Sequence, residues 1–183
     1  AANVVVSGLG MLNVPVVPEF PGADRFRGRA FHSSQWDHTK SLEGERVGSI
    51  GTGASAIQYV PAIAPTVEHV TVFQRSPIWI TPRLDRPYTA EEQRRFARVP
   101  GAARWQRWKI WWTYERASFD ARAEQTETMT ALARSYLERK ITDPEVRAKL
   151  TLDYPVGCQR PLLSPQWFPA LTRPNVRLVT EPI

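Results

Sequence analysis

The chain has 183 residues, 42% hydrophobic and 23% charged, which is room for one full domain, or one domain and a piece of another. Its 24 Lys and Arg against 18 Asp and Glu leave a net charge of +6, dispersed rather than gathered into a recognised nucleic-acid module, so nucleic acid is not an expected partner. A single cysteine, Cys158, excludes a disulfide framework and a redox dithiol; with no basic leader and no apolar run near the ~18–20 residues of a membrane span, a reducing cytoplasm without membrane insertion is the default compartment.

In chain order, Val4, Val5 and Val6 predict a short strand, followed by a turn at Gly8 and Gly10 and a connector held extended by Pro15, Pro18 and Pro21. Residues 25–40 read as a loop rich in aromatic and polar groups. A strand is expected over residues 46–50, then a glycine turn, a helix over about 55–64 closed by Pro65, and a second strand over 70–73. That unit is about the ~30 residues of a βαβ. Residues 88–150 read as a helical insertion, with a Thr89-x-x-Glu92 capping box, a long stretch free of breakers from Ala102, and a helix restarted at Asp143-Pro144. Residues 155–183 are expected as loop and strand, the last strand at Val176-Arg177-Leu178-Val179. Strands at both extremes predict a chain truncated at both ends.

Gly51-Thr52-Gly53-Ala54-Ser55-Ala56 fits G-x-G-x-x-G/A between an expected strand and an expected helix, the context that gives this motif meaning. Gly51 permits the tight turn, Gly53 lets the backbone approach a pyrophosphate, and Ala56 allows helix and strand to pack closely. The pyrophosphate would sit on the helix N-terminus, with Gln58 added to the cofactor-binding set. The plainer alternative is a glycine turn without a ligand. An NAD site places a carboxylate at the end of the second strand; this chain has Gln74-Arg75-Ser76 there. Arg75 can meet a 2′-phosphate and Ser76 can hydrogen-bond to it, which favours NADPH; the alternative for Arg75 is a solvated surface side chain.

Residues 26–37 read Phe26-Arg-Gly28-Arg-Ala-Phe-His32-Ser-Ser-Gln-Trp36-Asp37. Taken alone, they could be interdomain packing. They resemble the F-x-G-x-x-x-H-x-x-x-W-P/D fingerprint of Baeyer–Villiger monooxygenases, within the wider flavin-containing monooxygenases, at Phe26, Gly28, His32, Trp36 and Asp37. The family's relatives that oxygenate nitrogen or sulfur usually carry Phe or Tyr in place of Trp36. The resemblance extends over nearly the whole chain. Val4 to Pro15 is similar to the strand and A-T-G-x-L-S-x-P segment, with Ser7-Gly8 where Ala-Thr-Gly is commoner. Val72-Phe73-Gln74-Arg75-Ser76-Pro77 is similar to V-F-Q-R-[ST]-P. Gly157-Cys158-Gln159-Arg160-Pro161 is similar to G-x-K-R-P, with Gln159 where the family has a lysine contacting the 2′-phosphate.

The resemblance implies an α/β, Rossmann-like FAD/NAD(P)-binding domain, three-layered around a mostly parallel sheet, with a helical insertion. Residues 1–40 would be the tail of an FAD-binding domain and the fingerprint linker, and 41–183 the NADPH-binding domain. It implies NADPH and FAD as cofactors. One oxygen atom of O2 would be inserted into a ketone through a flavin C4a-peroxide, or into nitrogen or sulfur in the related enzymes. Arg160 would be the catalytic cation that stabilises developing negative charge, and residues 26–37 would couple domain motion rather than make bonds. His32 is expected to have a ring nitrogen held by backbone groups, and Cys158 to be a small filler. No FAD fingerprint precedes residue 51, since Gly8-Leu-Gly10-Met-Leu-Asn13 has the wrong last residue. The chain by itself is therefore expected to have no oxygenase turnover.

Two other function classes stay in view. A flavin disulfide reductase would need a dithiol, which one cysteine denies. A non-enzymatic membrane-surface or interaction module could be built on Trp105, Trp108, Trp111, Trp112, Tyr114 and Phe119, interleaved with Arg104, Arg107, Lys109, Arg116 and Arg122. For these tryptophans, burial in the core or at a domain interface is the leading expectation.

Overall fold

A computed structural model of the chain describes residues 2–8, 10, 14–83, 86–119 and 123–183. Within 114–125, Glu115 alone has a described side chain; Tyr114, Arg116, Phe119 and Arg122 lie outside the described side chains. Two compact units are present, Ala1–Ser41 together with Ile183, and Leu42–Pro182.

In the first unit the expected strand at Val4, Val5 and Val6 is not formed. The three side chains are 76–88% exposed, and no described segment pairs with them; a strand exists only through hydrogen bonds to a neighbour. Residues 25–40 form the expected loop, with 3-10 turns at Ala23–Arg25 and Ser33–Gln35.

The second unit is built on strands β1 (Arg46–Ile50), β2 (His69–Phe73) and β5 (Val176–Val179), all parallel in the order β1-β2-β5. Helix α1 (Ala56–Ile63) connects β1 to β2. Val70 and Val72 of the central strand are fully buried and share a face with Val176 and Leu178. Ala56, Ile57 and Val60 of α1 pack into the same core, as do Trp167, Phe168 and Leu171 of α6 (Trp167–Leu171). Burial of each large apolar side chain contributes about 1.5–3 kcal/mol.

Helix α6 departs from the expectation of loop and strand over 155–183. It is five residues long, contains Pro169, and four of its five side chains are buried. A short helix without a polar face gives no periodic signal. Its tertiary setting supplies what its sequence lacks: Ser164 Oγ accepts from the N–H groups of Gln166 and Trp167 at 3.3 and 3.1 Å. The same oxygen lies 3.5 Å from the carbonyl of Ile57. Pro61 stands four residues on, inside α1, and proline has no N–H to give that carbonyl. Ser164 thereby connects the two helices that cover the sheet.

The insertion forms helices α2 (Ala90–Arg98), α3 (Ala102–Phe119), α4 (Ala123–Lys140) and α5 (Pro144–Leu150). Asp143 caps α5 through Oδ1, which accepts from Glu145 and Val146 N–H at 2.8 and 3.2 Å, with Pro144 at the first position. Strands β3 (Ile80–Thr81) and β4 (Leu162–Leu163), one before the insertion and one after it, pair in parallel.

Helix α3 corrects the core half of the expectation for the tryptophans, since it does not bury them within this chain. Trp105, Trp108, Trp111 and Trp112 are 45–56% exposed, and Ala102 is the buried residue among the helix's described side chains. The indoles stack on one another, Trp105 on Trp108 at 4.8 Å and Trp108 on Trp112 at 5.8 Å between ring centroids.

The capping box of α2 is complete, and Arg86 reinforces it. Glu92 N–H donates to Thr89 Oγ1, Thr89 N–H donates back to Glu92 Oε2 at 2.8 Å, and the Arg86 guanidinium grips both carboxylate oxygens at 2.7 and 2.8 Å. The hydrogen bond from Arg86, then that from the Thr89 N–H, lowers the Glu92 pKa to about 2. A lowered carboxylate stabilises the fold above its unfolded value of about 4.3. That contribution is lost as pH falls through about 2. The first turn of α2 is therefore expected to loosen in this window on acidification. Carboxyl-carbon NMR should place the Glu92 midpoint near the low end of it, and Arg86→Ala should move it upward; an ordinary glutamate midpoint in the unsubstituted protein counts against the box.

Candidate functional site

The glycine turn leaves β1 at the C-terminal edge of the sheet. Gly51 has φ +97°, a conformation that disfavours any side chain, and its N–H donates to Phe73 O at 2.9 Å. Thr52 is buried, Gly53, Ala54 and Ser55 are exposed, and Ala56 is buried against the sheet. A Cβ placed on Gly53 would meet nothing within 4 Å, so the space in front of the turn is open. The first N–H groups inside α1 that find acceptors are those of Ile57, on Gly53 O, and Gln58, on Ser55 O. None of the described residues accepts from the N–H groups of Gly53, Ala54, Ser55 or Ala56. Free donors at the start of a helix attract an anion. Gln58 Nε2 donates to Ala54 O at 2.7 Å, so its side chain braces the turn.

The register Ile50↔Phe73 places the exit of β2 beside this turn. Arg75 and Ser76 follow there, both exposed, and none of the described residues pairs with the Arg75 guanidinium. Gln74, between them and the strand, is 3% exposed; its N–H donates to Val179 O at 2.8 Å and its Nε2 to Lys149 O at 2.7 Å.

Gln159 and Arg160 lie on the exposed segment before β4. The Tyr154 hydroxyl is 3.0 Å from Gln159 Oε1 and 3.4 Å from Pro77 O, which brings the Gln159 segment to the residue after Ser76. Burial, then the nearby Asp153 carboxylate, raises the Tyr154 pKa, so the hydroxyl keeps its proton and remains a donor. Sequence reasoning missed Gln74 as an anchor and Tyr154 altogether. Gln74 left a trace, a polar residue ending an apolar strand; Tyr154 left none. Cys158 is exposed, which corrects its reading as a buried filler: it stands on the same open turn as Gly157, φ +109°.

The fingerprint residues form a separate local structure in the first unit. The Phe26 ring lies against Gly28, where a Cβ would meet it at 2.4 Å. His32 Nδ1 accepts from Ser34 N–H at 3.2 Å and stands 2.8 Å from Ser34 Oγ, capping the 3-10 turn; a neutral ring so placed carries its proton on Nε2. Trp36 packs edge-on to Phe31 at 5.4 Å. Asp37 Oδ1 accepts from the Thr39 hydroxyl and N–H at 2.6 and 3.0 Å, and these bonds lower its pKa. This is an Asx turn, and a proline can start a turn at the same position.

Parallel strands joined by a helix that a glycine turn opens define an α/β domain of Rossmann-like architecture. The model of the flavin-binding monooxygenase-like family matches residues 1–99. A Baeyer-Villiger monooxygenase of Streptomyces coelicolor is 44% identical over 182 residues, 98% of this chain and 35% of the relative. One of Pseudomonas aeruginosa is 42% identical over 184 residues, again 35% of its length. Among solved structures, the polycyclic ketone monooxygenase of Thermothelomyces thermophila superposes with a TM-score of 0.79 at 29% identity, over 94% of this chain and 35% of that one. Cyclohexanone monooxygenase from Rhodococcus sp. Phi1 bound to NADP+ gives 0.73 at 28%, over 93% and 39%. The chain belongs to the flavin-binding monooxygenase-like family. It spans about a third of the length of the curated relatives it matches.

Proposed function

We propose that this chain is the NADPH-binding part of an FAD- and NADPH-dependent monooxygenase of the Baeyer–Villiger type, which inserts one oxygen atom of O2 into a ketone. The observation that carries the reading is the sheet edge itself: unpaired N–H groups of Gly53, Ala54, Ser55 and Ala56 beside an exposed Arg75 and Ser76. The donors suit a pyrophosphate and the guanidinium suits a 2′-phosphate. The matching names of the relatives and the five fingerprint residues support the ketone as substrate. One dinucleotide turn is present among the described residues, so no residue of this chain is assigned to FAD.

NADPH supplies the hydride when bound. The residues here bind and orient it: the turn holds the pyrophosphate, Arg75 and Ser76 the 2′-phosphate, and Gln159 a polar edge nearby. Arg160 supplies a permanent cation for negative charge that develops on the reacting oxygen. The fingerprint residues, which make their own turns, serve as a linker and move no proton. The Trp-rich helix takes no part in this reading.

The test is NADPH consumption by the full-length protein with a cyclic ketone under ¹⁸O2. A lactone carrying one ¹⁸O is expected. NADPH consumption coupled to sulfide or amine oxygenation, with no lactone from any ketone, would transfer the protein to the heteroatom branch.

A further inference from the structure

Two nearly buried side chains on the segment 74–79, which leads from β2 to β3, donate to carbonyls on a second segment. Gln74 is 3% exposed and Trp79 2%. Gln74 Nε2 donates to Lys149 O at 2.7 Å, and Trp79 Nε1 donates to Tyr154 O at 3.0 Å. Donors and acceptors are spaced alike along their segments, so residues 74–79 and 149–154 lie side by side and are pinned at both ends. Between the pins, the Tyr154 hydroxyl approaches Pro77 O at 3.4 Å. Arg75 and Ser76 also stand between them, exposed. The acceptor segment is the end of the helical insertion: Lys149 belongs to α5, and Leu150 and Leu152 beside it are buried.

We infer that Gln74 and Trp79 are positioning residues that fix the direction of Arg75, so that selection of the phosphorylated nucleotide depends on the docked end of the helical insertion. The inference rests on the reading of Arg75 as the 2′-phosphate contact. Arg75 makes no hydrogen bond or ion pair through its side chain with the described residues. Its backbone is aimed instead, by a ladder bond from Gln74 N–H to Val179 O before it and by the two side-chain pins around it. A long guanidinium placed by its backbone can form a directed pair with phosphate only if that backbone is held. Tyr154 extends the arrangement to Gln159 at 3.0 Å, joining the two polar segments of the site to one support.

The experiment is calorimetric binding of NADP+ and NAD+ to the full-length protein, with Gln74→Met, Arg75→Ala and the double variant. Methionine keeps the length of the side chain and removes the donor. Gln74→Met is expected to weaken NADP+ roughly five- to tenfold, the scale of one lost buried hydrogen bond, and to leave NAD+ within about twofold. In the Arg75→Ala background the same change is expected to cost NADP+ less than about twofold, because residues acting through one contact are not additive. Equal losses for both nucleotides, or an undiminished loss in the Arg75→Ala background, overturn the inference and leave Gln74 a packing residue. If Arg75→Ala leaves the NADP+/NAD+ ratio unchanged, the reading of Arg75 itself has failed, and the positioning role falls with it. Should Gln74→Met not fold, Trp79→Phe removes the other donor while keeping a ring in place, and the same ratios decide.

Discussion

Arg160→Ala is expected to lower kcat of the full-length protein by about 10²–10³-fold, the range seen when a group that stabilises developing negative charge is removed. The KM for NADPH should stay within about threefold if the guanidinium acts on the reacting oxygen rather than on the nucleotide. The structure contributes two facts. Arg160 is exposed on the segment that leads into β4, and none of the described residues offers its guanidinium a carboxylate. A cation already paired within the protein would have little left for a transition state. Arg160→Lys keeps the charge but loses the planar fork, and should recover part of the rate. A KM effect as large as the kcat effect would make Arg160 a nucleotide contact and reject the assignment.

Arg75→Ala should act on binding instead. A charge-assisted contact to phosphate contributes about 1.5–3 kcal/mol, which corresponds to a rise of roughly 10–100-fold in KM for NADPH. NADH has no 2′-phosphate, so its KM should change by less than about threefold. Equal rises for both cofactors would make Arg75 a structural residue, and the preference for NADPH would then need another source. Together the two arginine variants separate the halves of the proposal, one acting on the chemical step and the other on recognition.

The legible parts of the fold were those with local causes. The β1–turn–α1–β2 unit follows from adjacent strand, glycine and helix signals within about 30 residues. The Thr89–Glu92 box and the Asp143-Pro144 start are written in four-residue patterns, and both formed. The failures have nonlocal causes. Val4, Val5 and Val6 have strand composition but no described partner. Helix α6 is buried on nearly all sides, so it lacks the polar face by which a helix is recognised, and its cap at Ser164 lies ahead of it in a two-residue strand's wake. For α3 the sequence showed tryptophans at helical spacing, a pattern usually read as core; here that spacing stacks indole on indole at the surface.

At the site the same division holds. The six turn residues and Arg75 could be picked out because the function proposed for them demands special residue types at fixed offsets. That the turn and Arg75 meet at one sheet edge required the register Ile50↔Phe73. The roles of Gln74, Trp79 and Tyr154 could not be seen, since their partners stand some seventy-five positions away and no spacing rule links them. Gln74 was visible as a letter in the V-F-Q-R-S-P segment without a physical reason for being glutamine.

The paired segments 74–79 and 149–154 also act as the neck of a long loop. Between them lie β3 and helices α2 to α5, and α4 returns to the main core on its own account: Tyr136, Leu137 and, just past its end, Ile141 are buried in the cluster that covers the sheet, and the Tyr136 hydroxyl donates to Ser164 O at 3.2 Å. Closing such a loop costs only about 0.6 kcal/mol more each time its length doubles. Helices α2 and α3, whose described side chains include one buried residue, Ala102, can therefore be lengthened or shortened with little consequence for the sheet edge, provided Lys149 and Tyr154 still offer their carbonyls and α4 keeps its place in the core. The sheet edge and the outer helices α2 and α3 are thus free to diverge at different rates, with the neck and α4 as the parts that must be kept.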